Sequence, residues 1–251
     1  GTYEIKFQDV NDFKLDISHD LTIESVAGPD STIVDMHHKT IIIDGVTVDY
    51  PSVKLKGLTF RQHPSMQDHQ LCILQEAGNL NIHNCTFKST ASGRLKAIRA
   101  EDFGSLIIKK SSFEKNDGDG SQGGAISAVN GIVGVEIDDS IFKLNNSVEG
   151  GAIFCLNTAL TIDDSEFTDN WTTIGNGGAI SFLSFVPARK ALLSNSTFKK
   201  NVADNNGGAI SLLGLGSATS GKITDCHFKN NATMANKTMG GALSVMSMMM
   251  L

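Results

Sequence analysis

Apolar residues along this chain come in short alternating bursts, and the bursts return at intervals of roughly 27 residues. Seven phenylalanines mark the interval: Phe60, Phe87, Phe113, Phe142, Phe167, Phe198 and Phe228 stand 27, 26, 29, 25, 31 and 30 residues apart. Seven and five positions before each Phe the residues are mostly apolar, as in Leu106/Ile108 and Leu160/Ile162, so these alternate inward on one short strand. Two positions before it stands Leu58, Cys85, Ser111, Ser140, Ser165, Ser196 or Cys226, small or apolar each time, which puts this position and the Phe inward on a second strand. The step between the two strands breaks the period of two. That predicts a turn at the intervening pair, where Lys56-Gly57, His83-Asn84, Lys109-Lys110, Asp138-Asp139, Asp163-Asp164, Ser194-Asn195 and Thr224-Asp225 are found.

Two tetrapeptides alternate on this frame. Gly-Gly-Ala-Ile/Leu begins at Gly123, Gly150, Gly177, Gly207 and Gly240, and Phe-x-x-Asn pairs the last five phenylalanines with Asn116, Asn145, Asn170, Asn201 and Asn231. The Gly-Gly pair predicts a corner with positive φ or a close backbone approach. A third strand follows it, with Ile126, Ile153, Ile180, Ile210 and Leu243 pointing inward. A helix, with its period of 3.6, cannot carry this pattern. A sandwich would show longer strands in hairpin pairs. Stacked coils that bury their inward residues against neighbouring copies fit it. The reading is therefore all-β: a right-handed parallel β-helix, a pectin-lyase-like solenoid of eight or nine turns. The phenylalanines and the Phe-x-x-Asn asparagines form its internal ladders. One domain spans 1–251, with an irregular cap and first turns over 1–52 and regular repeats over 53–251 that are expected to continue beyond the last residue. A first residue of Gly1 reads as a processed chain or a fragment.

The alternating Gly-Gly-Ala-Ile/Leu and Phe-x-x-Asn tetrapeptides, from Phe113 to Val245, resemble the repeats of chlamydial-type polymorphic outer membrane proteins and of large surface proteins of some protists. The resemblance implies an extracellular or cell-surface β-helix used in adhesion or surface architecture, as in a filament or coat. The C-terminal barrel of that family has no counterpart here, so the resemblance does not extend to autotransport.

Charge and chemistry narrow the picture. A net charge of −6 argues against nucleic acid as a partner, and no apolar run is long enough for a membrane-spanning helix. β-Helices also carry polysaccharide lyases and hydrolases, which makes a carbohydrate-active enzyme the alternative reading. Against it, the single Arg-x-Lys, Arg94-Leu95-Lys96, has no Gly-His-Gly beside it, and Gly1-Thr2-Tyr3-Glu4 reads as a generic cap. No catalytic residue is assigned. Asp138, Asp139, Asp163 and Asp164 stack on neighbouring turns, and Asp117 and Asp119 lie in an Asn-Asp-Gly-Asp-Gly segment resembling half a calcium loop. Solvated turn residues explain both, so no cofactor is expected and calcium is the weak candidate. His37, His38, His63 and His69 lack zinc spacing, and the four cysteines read as buried thiols, with Cys72–Cys85 the one pair close in sequence.

Six Asn-x-Ser/Thr sequons lean toward a secreted glycoprotein. Asn84, Asn195 and Asn236 are the glycosylation candidates, whereas Asn145, Asn170 and Asn231 are assigned to the interior. A strip of small residues, Ala125, Ser127, Ala152, Ala179, Ser181, Ala209, Ser211, Ala242 and Ser244, is expected to face outward from the third strand as an assembly face. The expected partners are other copies of the chain, or its continuation, at the C-terminal end, and host-cell or matrix glycans or proteins.

Overall fold

The computed structural model describes residues 14–36, 40–44, 50–62, 69–90, 94–130, 132–186, 189–215, 220–234 and 240–248. Its strands pair in parallel with strands one coil away, which makes the molecule a β-helix. A sheet of eight strands carries the phenylalanine positions, from Ile33–Met36 to His227–Lys229. Eight rungs bound about seven complete turns, slightly fewer than the eight or nine expected from the spacing. A fifteen-stranded sheet holds the other two strands of each coil, and a narrow sheet of four two-residue strands begins at Asn146–Ser147.

Register places like residues on like. Phe113 pairs with Phe87 on one side and Phe142 on the other. From Phe60 to Phe228 the rings lie 4.8–5.1 Å apart and within 14° of parallel. Five of them, from Phe87 to Phe198, are wholly buried. Offset stacking of this kind adds to the apolar burial that drives the coil together.

The corners are left-handed. Three residues before each Phe, Gly57, Asn84, Lys110, Asp139, Asp164, Asn195 and Asp225 all have φ between 45° and 63°. A second column stands two residues after the Phe: Lys115, Leu144, Asp169, Lys200 and Asn230. The first Gly of each Gly-Gly forms a third, with φ 62–67°. At the second Gly the requirement is space, because a Cβ on Gly151 would sit 2.1 Å from the Gly178 carbonyl oxygen of the next coil.

Candidate functional site

Two polar ladders run through the core beside the rings. In the first, the main-chain N–H and the Nδ2 of Asn145 both donate to Oδ1 of Asn170, at 3.0 and 2.9 Å, and Nδ2 also donates to the Phe113 carbonyl at 3.0 Å. The same three bonds recur at Asn116, Asn170 and Asn201, and Asn231 receives the last pair. The ladder asparagines Asn116, Asn145, Asn170 and Asn201 are fully buried, and Asn231 is half-buried. Each side chain thus satisfies main-chain groups that a sharp corner would leave unpaired inside the protein.

The second ladder lies two residues before the Phe. The N–H of Cys85, Ser111, Ser140 and Ser165 donates to the hydroxyl of Ser111, Ser140, Ser165 and Ser196 in turn, each at 3.1 Å. Each of these hydroxyls donates to the carbonyl two residues before it, at 2.7–2.8 Å. In the sequence this position is small or apolar each time, and the recurrence of a hydroxyl at four of the seven is the signal for the ladder.

The strip read as an assembly face is not a surface. Ala125, Ala152, Ala179 and Ala209 belong to the hydrophobic core, Ser127, Ser181, Ser211 and Ser244 are at most 4 % exposed, and Ala242 is half-buried. The period of two misleads here because the Gly-Gly corner breaks parity: the N–H groups of Ala125 and Ile126 both donate to the Ala152 carbonyl. Loop residues cover the rest, as where Glu149 Oε1 accepts the Ser181 hydroxyl at 2.9 Å. Phe154, which interrupts the strip, is buried as well.

The turn acids sit in a hydrogen-bonded surface column. Asp138 and Asp163 are register neighbours. Asp163 Oδ1 accepts from Ser194 Oγ and Asn195 Nδ2, both at 2.8 Å, and these bonds hold its carboxyl below the usual carboxylate range. Asp138 lies 3.9 Å from Lys109 Nζ. Asp139 and Asp164 are the left-handed corner residues. Asp117 Oδ1 accepts the N–H of Asp119, an ordinary Asx turn, and Asp119 lies 3.7 Å from Arg94. Among the described residues no three His, Cys, Asp or Glu side chains gather at one point.

Asn84 and Asn195 are exposed on left-handed corners, while Asn236 lies outside the described residues, as do His37, His38, His63 and the segment Gly1–Glu4. All four cysteines are free thiols. Burial pushes the Cys155 thiol up to about 12 and Cys85 to about 11, with Cys72 higher still. Lys96 donates to Ser121 Oγ at 2.9 Å and to the Gln122 carbonyl at 2.8 Å. Loss of solvation, then the neighbouring Arg99, lowers its pKa to about 8.

No curated protein matches the chain, and no solved structure does. The family model described as the right-handed beta helix region matches residues 70–247, which takes in the asparagine and serine ladders and every stacked ring from Phe87 to Phe228. With that match joined to the parallel coil, the chain belongs to the right-handed β-helix family.

Proposed function

We propose that this β-helix is a structural and adhesive protein of the cell surface, built on the polymorphic-outer-membrane type of repeat, and that it acts as a filament or coat subunit without a cofactor. One observation carries the reading. The repeat devotes its conserved-in-register positions to self-complementary stacking, ring on ring and amide on amide, so what it specifies is a rigid rod and not a cleft. The variable residues of each coil lie on outward corners, where a rod meets its surroundings. Asn84 and Asn195 stand on such corners, where a glycan has room, and glycosylated Asn195 keeps one N–H for Asp163.

Two measurements test this. Protease treatment of intact source cells is expected to release peptides of the chain, and peptide mapping is expected to find any glycan at Asn84 or Asn195 and none at Asn145 or Asn170. Retention of the protein inside unbroken cells overturns the surface reading. Turnover of any member of a panel of plant and microbial polysaccharides overturns the structural one, in favour of a carbohydrate-active enzyme.

A further inference from the structure

We propose that copies of this chain pack side by side, the aspartate edge of the phenylalanine sheet in one against the lysine edge of the same sheet in the next. The inference rests on the coat reading above and supplies the coat's lateral contact.

The two edges flank each short strand of the eight-stranded sheet. In the four coils from Phe142 to Phe228, the corner before the ring carries Asp138, Asp139, Asp163, Asp164 and Asp225 and no base. Just after the ring stand Lys143, Lys199, Lys200 and Lys229, with Asp169 the one acid. Lys143, Thr168, Lys199 and Lys229 are successive neighbours in register, so the lysines climb the rod as a column. Backbone conformation does not sort the charges, because φ is 45–52° at Asp139, Asp164 and Asp225 and 54° at Lys200. Earlier coils lack the division: Lys109-Lys110 stand at the first edge, and at the second Lys88 pairs with Glu114 at 3.0 Å.

Both edges are open to a partner. Asp139, Asp164, Asp225, Lys143, Lys200 and Lys229 are exposed, and none of the six forms an ion pair among the described residues. The strand holds the edges four residues apart, about 13 Å, beyond the screening length of about 8 Å at physiological salt. They therefore do not neutralise one another within a molecule. Across molecules they match, because both repeat with the coil, whose rings stand 4.8–5.1 Å apart. Aspartates and lysines thus keep step over successive coils. Rods turned end for end, with this face on the same side, would set like edge on like. The contact therefore fixes the rods parallel, and its repetition by translation builds an open sheet. Each exposed pair is individually weak, so a coat gains from many of them, and in solution the contact is read as attraction and not as a stable dimer.

Static light scattering on the full chain tests this, since a negative second virial coefficient reports attraction between copies. The coefficient is expected to be negative at about 20 mM sodium chloride and to turn positive at about 1 M. A net charge of −6 by itself predicts the opposite, a repulsion strongest at low salt. One variant combines Asp139→Lys, Asp164→Lys and Asp225→Lys; a second combines Lys143→Glu, Lys199→Glu and Lys229→Glu. Lys110 already holds the aspartate column at φ 51°, and Glu114 stands in register with Lys143, so the columns accept both kinds of residue. Each variant is expected to repel itself at low salt. The two sets joined in one chain, which keeps the net charge at −6, are expected to restore attraction. Urea midpoints check folding, and if the aspartate set shifts its midpoint, the lysine set decides. Low-salt repulsion in the unaltered chain, or attraction that survives the lysine set, overturns the proposal. Attraction that persists at about 1 M salt overturns the edge pairing but leaves the coat reading, whose own test is protease release from cells. An unaltered chain that repels itself yet binds dextran sulfate through the lysine edge assigns that edge to an acidic polymer, and overturns the pairing too.

Discussion

Between residues 69 and 109 the chain crosses the body in two long strands, His69–His83 and Arg94–Lys109, which bend at Gly78 and Gly104. From residue 112 on, a coil is cut into shorter strands by left-handed corners, as in Ser112–Glu114, Ile126–Val129 and Ile132–Asp138. The early coils keep the ring stack but satisfy their buried polar groups one at a time. Ser89 donates to Gln62 Oε1, and Gln75 donates to the carbonyls of Gly78 and Ser105. Outside, Asp35 takes a two-pronged bond from Arg61. The later coils use a single solution five times over. The comparison shows that an apolar stack is enough to wind the coil, whereas repeated sharp corners require a repeated polar interior. It also predicts where damage spreads: to one contact in the early coils, to both neighbouring coils in the late ones.

The largest expected effect breaks the amide ladder in its middle. Asn170→Ala strands the Asn145 N–H and the Phe142 carbonyl and removes one of the two bonds of Asn145 Nδ2, so a loss of about 4–6 kcal/mol is expected from the urea midpoint. Thr90→Ala, at the corresponding position of an early coil, removes a hydroxyl with no partner and is expected to cost less than about 1 kcal/mol. Equal losses would erase the distinction between the two regions.

Phe167→Ala comes next. Its ring is stacked at 4.8 and 4.9 Å between two others and wholly buried, so about 3–5 kcal/mol is expected from lost transfer and the cavity left behind. Phe60→Ala is expected to cost about as much, because both regions share the rings; a much smaller loss would show that the early stack contributes little.

Ser165→Ala strands the Ser140 N–H and is expected to cost about 2 kcal/mol in thermal or urea unfolding. Ser165→Cys is expected to cost less, since Cys85 and Cys226 already occupy that column and bond carbonyls through Sγ.

The last expected effect is a pH dependence in an early coil. Lys96 has a folded pKa of about 8 against 10.5 when unperturbed, so between these values the unfolded chain binds more protons. Stability is then expected to rise with pH across that window, as the penalty for a poorly solvated ammonium disappears. Lys96→Met is expected to flatten the urea midpoint over the same range, and an unchanged slope would assign the dependence to another group.

Much of this organisation was legible in the sequence, for a physical reason. A residue that must stack on its own kind repeats its identity, so Phe, Asn and Gly-Gly announce themselves. The corner two residues after each of the last five ladder phenylalanines is not legible there because a backbone conformation, not a side chain, repeats: Lys115, Leu144, Asp169, Lys200 and Asn230 share a φ near 55° and no chemistry. The strip of small residues lies inside for two reasons: the corner resets the strand alternation at its alanines, and loop residues cover its serines.

Hydrogen exchange at the ladder amides tests the central claim most directly. The N–H groups of Asn116, Asn145, Asn170 and Asn201 each donate to a side-chain oxygen of the next coil. If that ladder holds the late coils together, these four amides exchange only when the protein unfolds globally. The N–H groups of Ala27 and Asp119, bonded to side chains at exposed turns, exchange orders of magnitude faster. Exchange of the four ladder amides at the rate of those exposed turns would contradict the account.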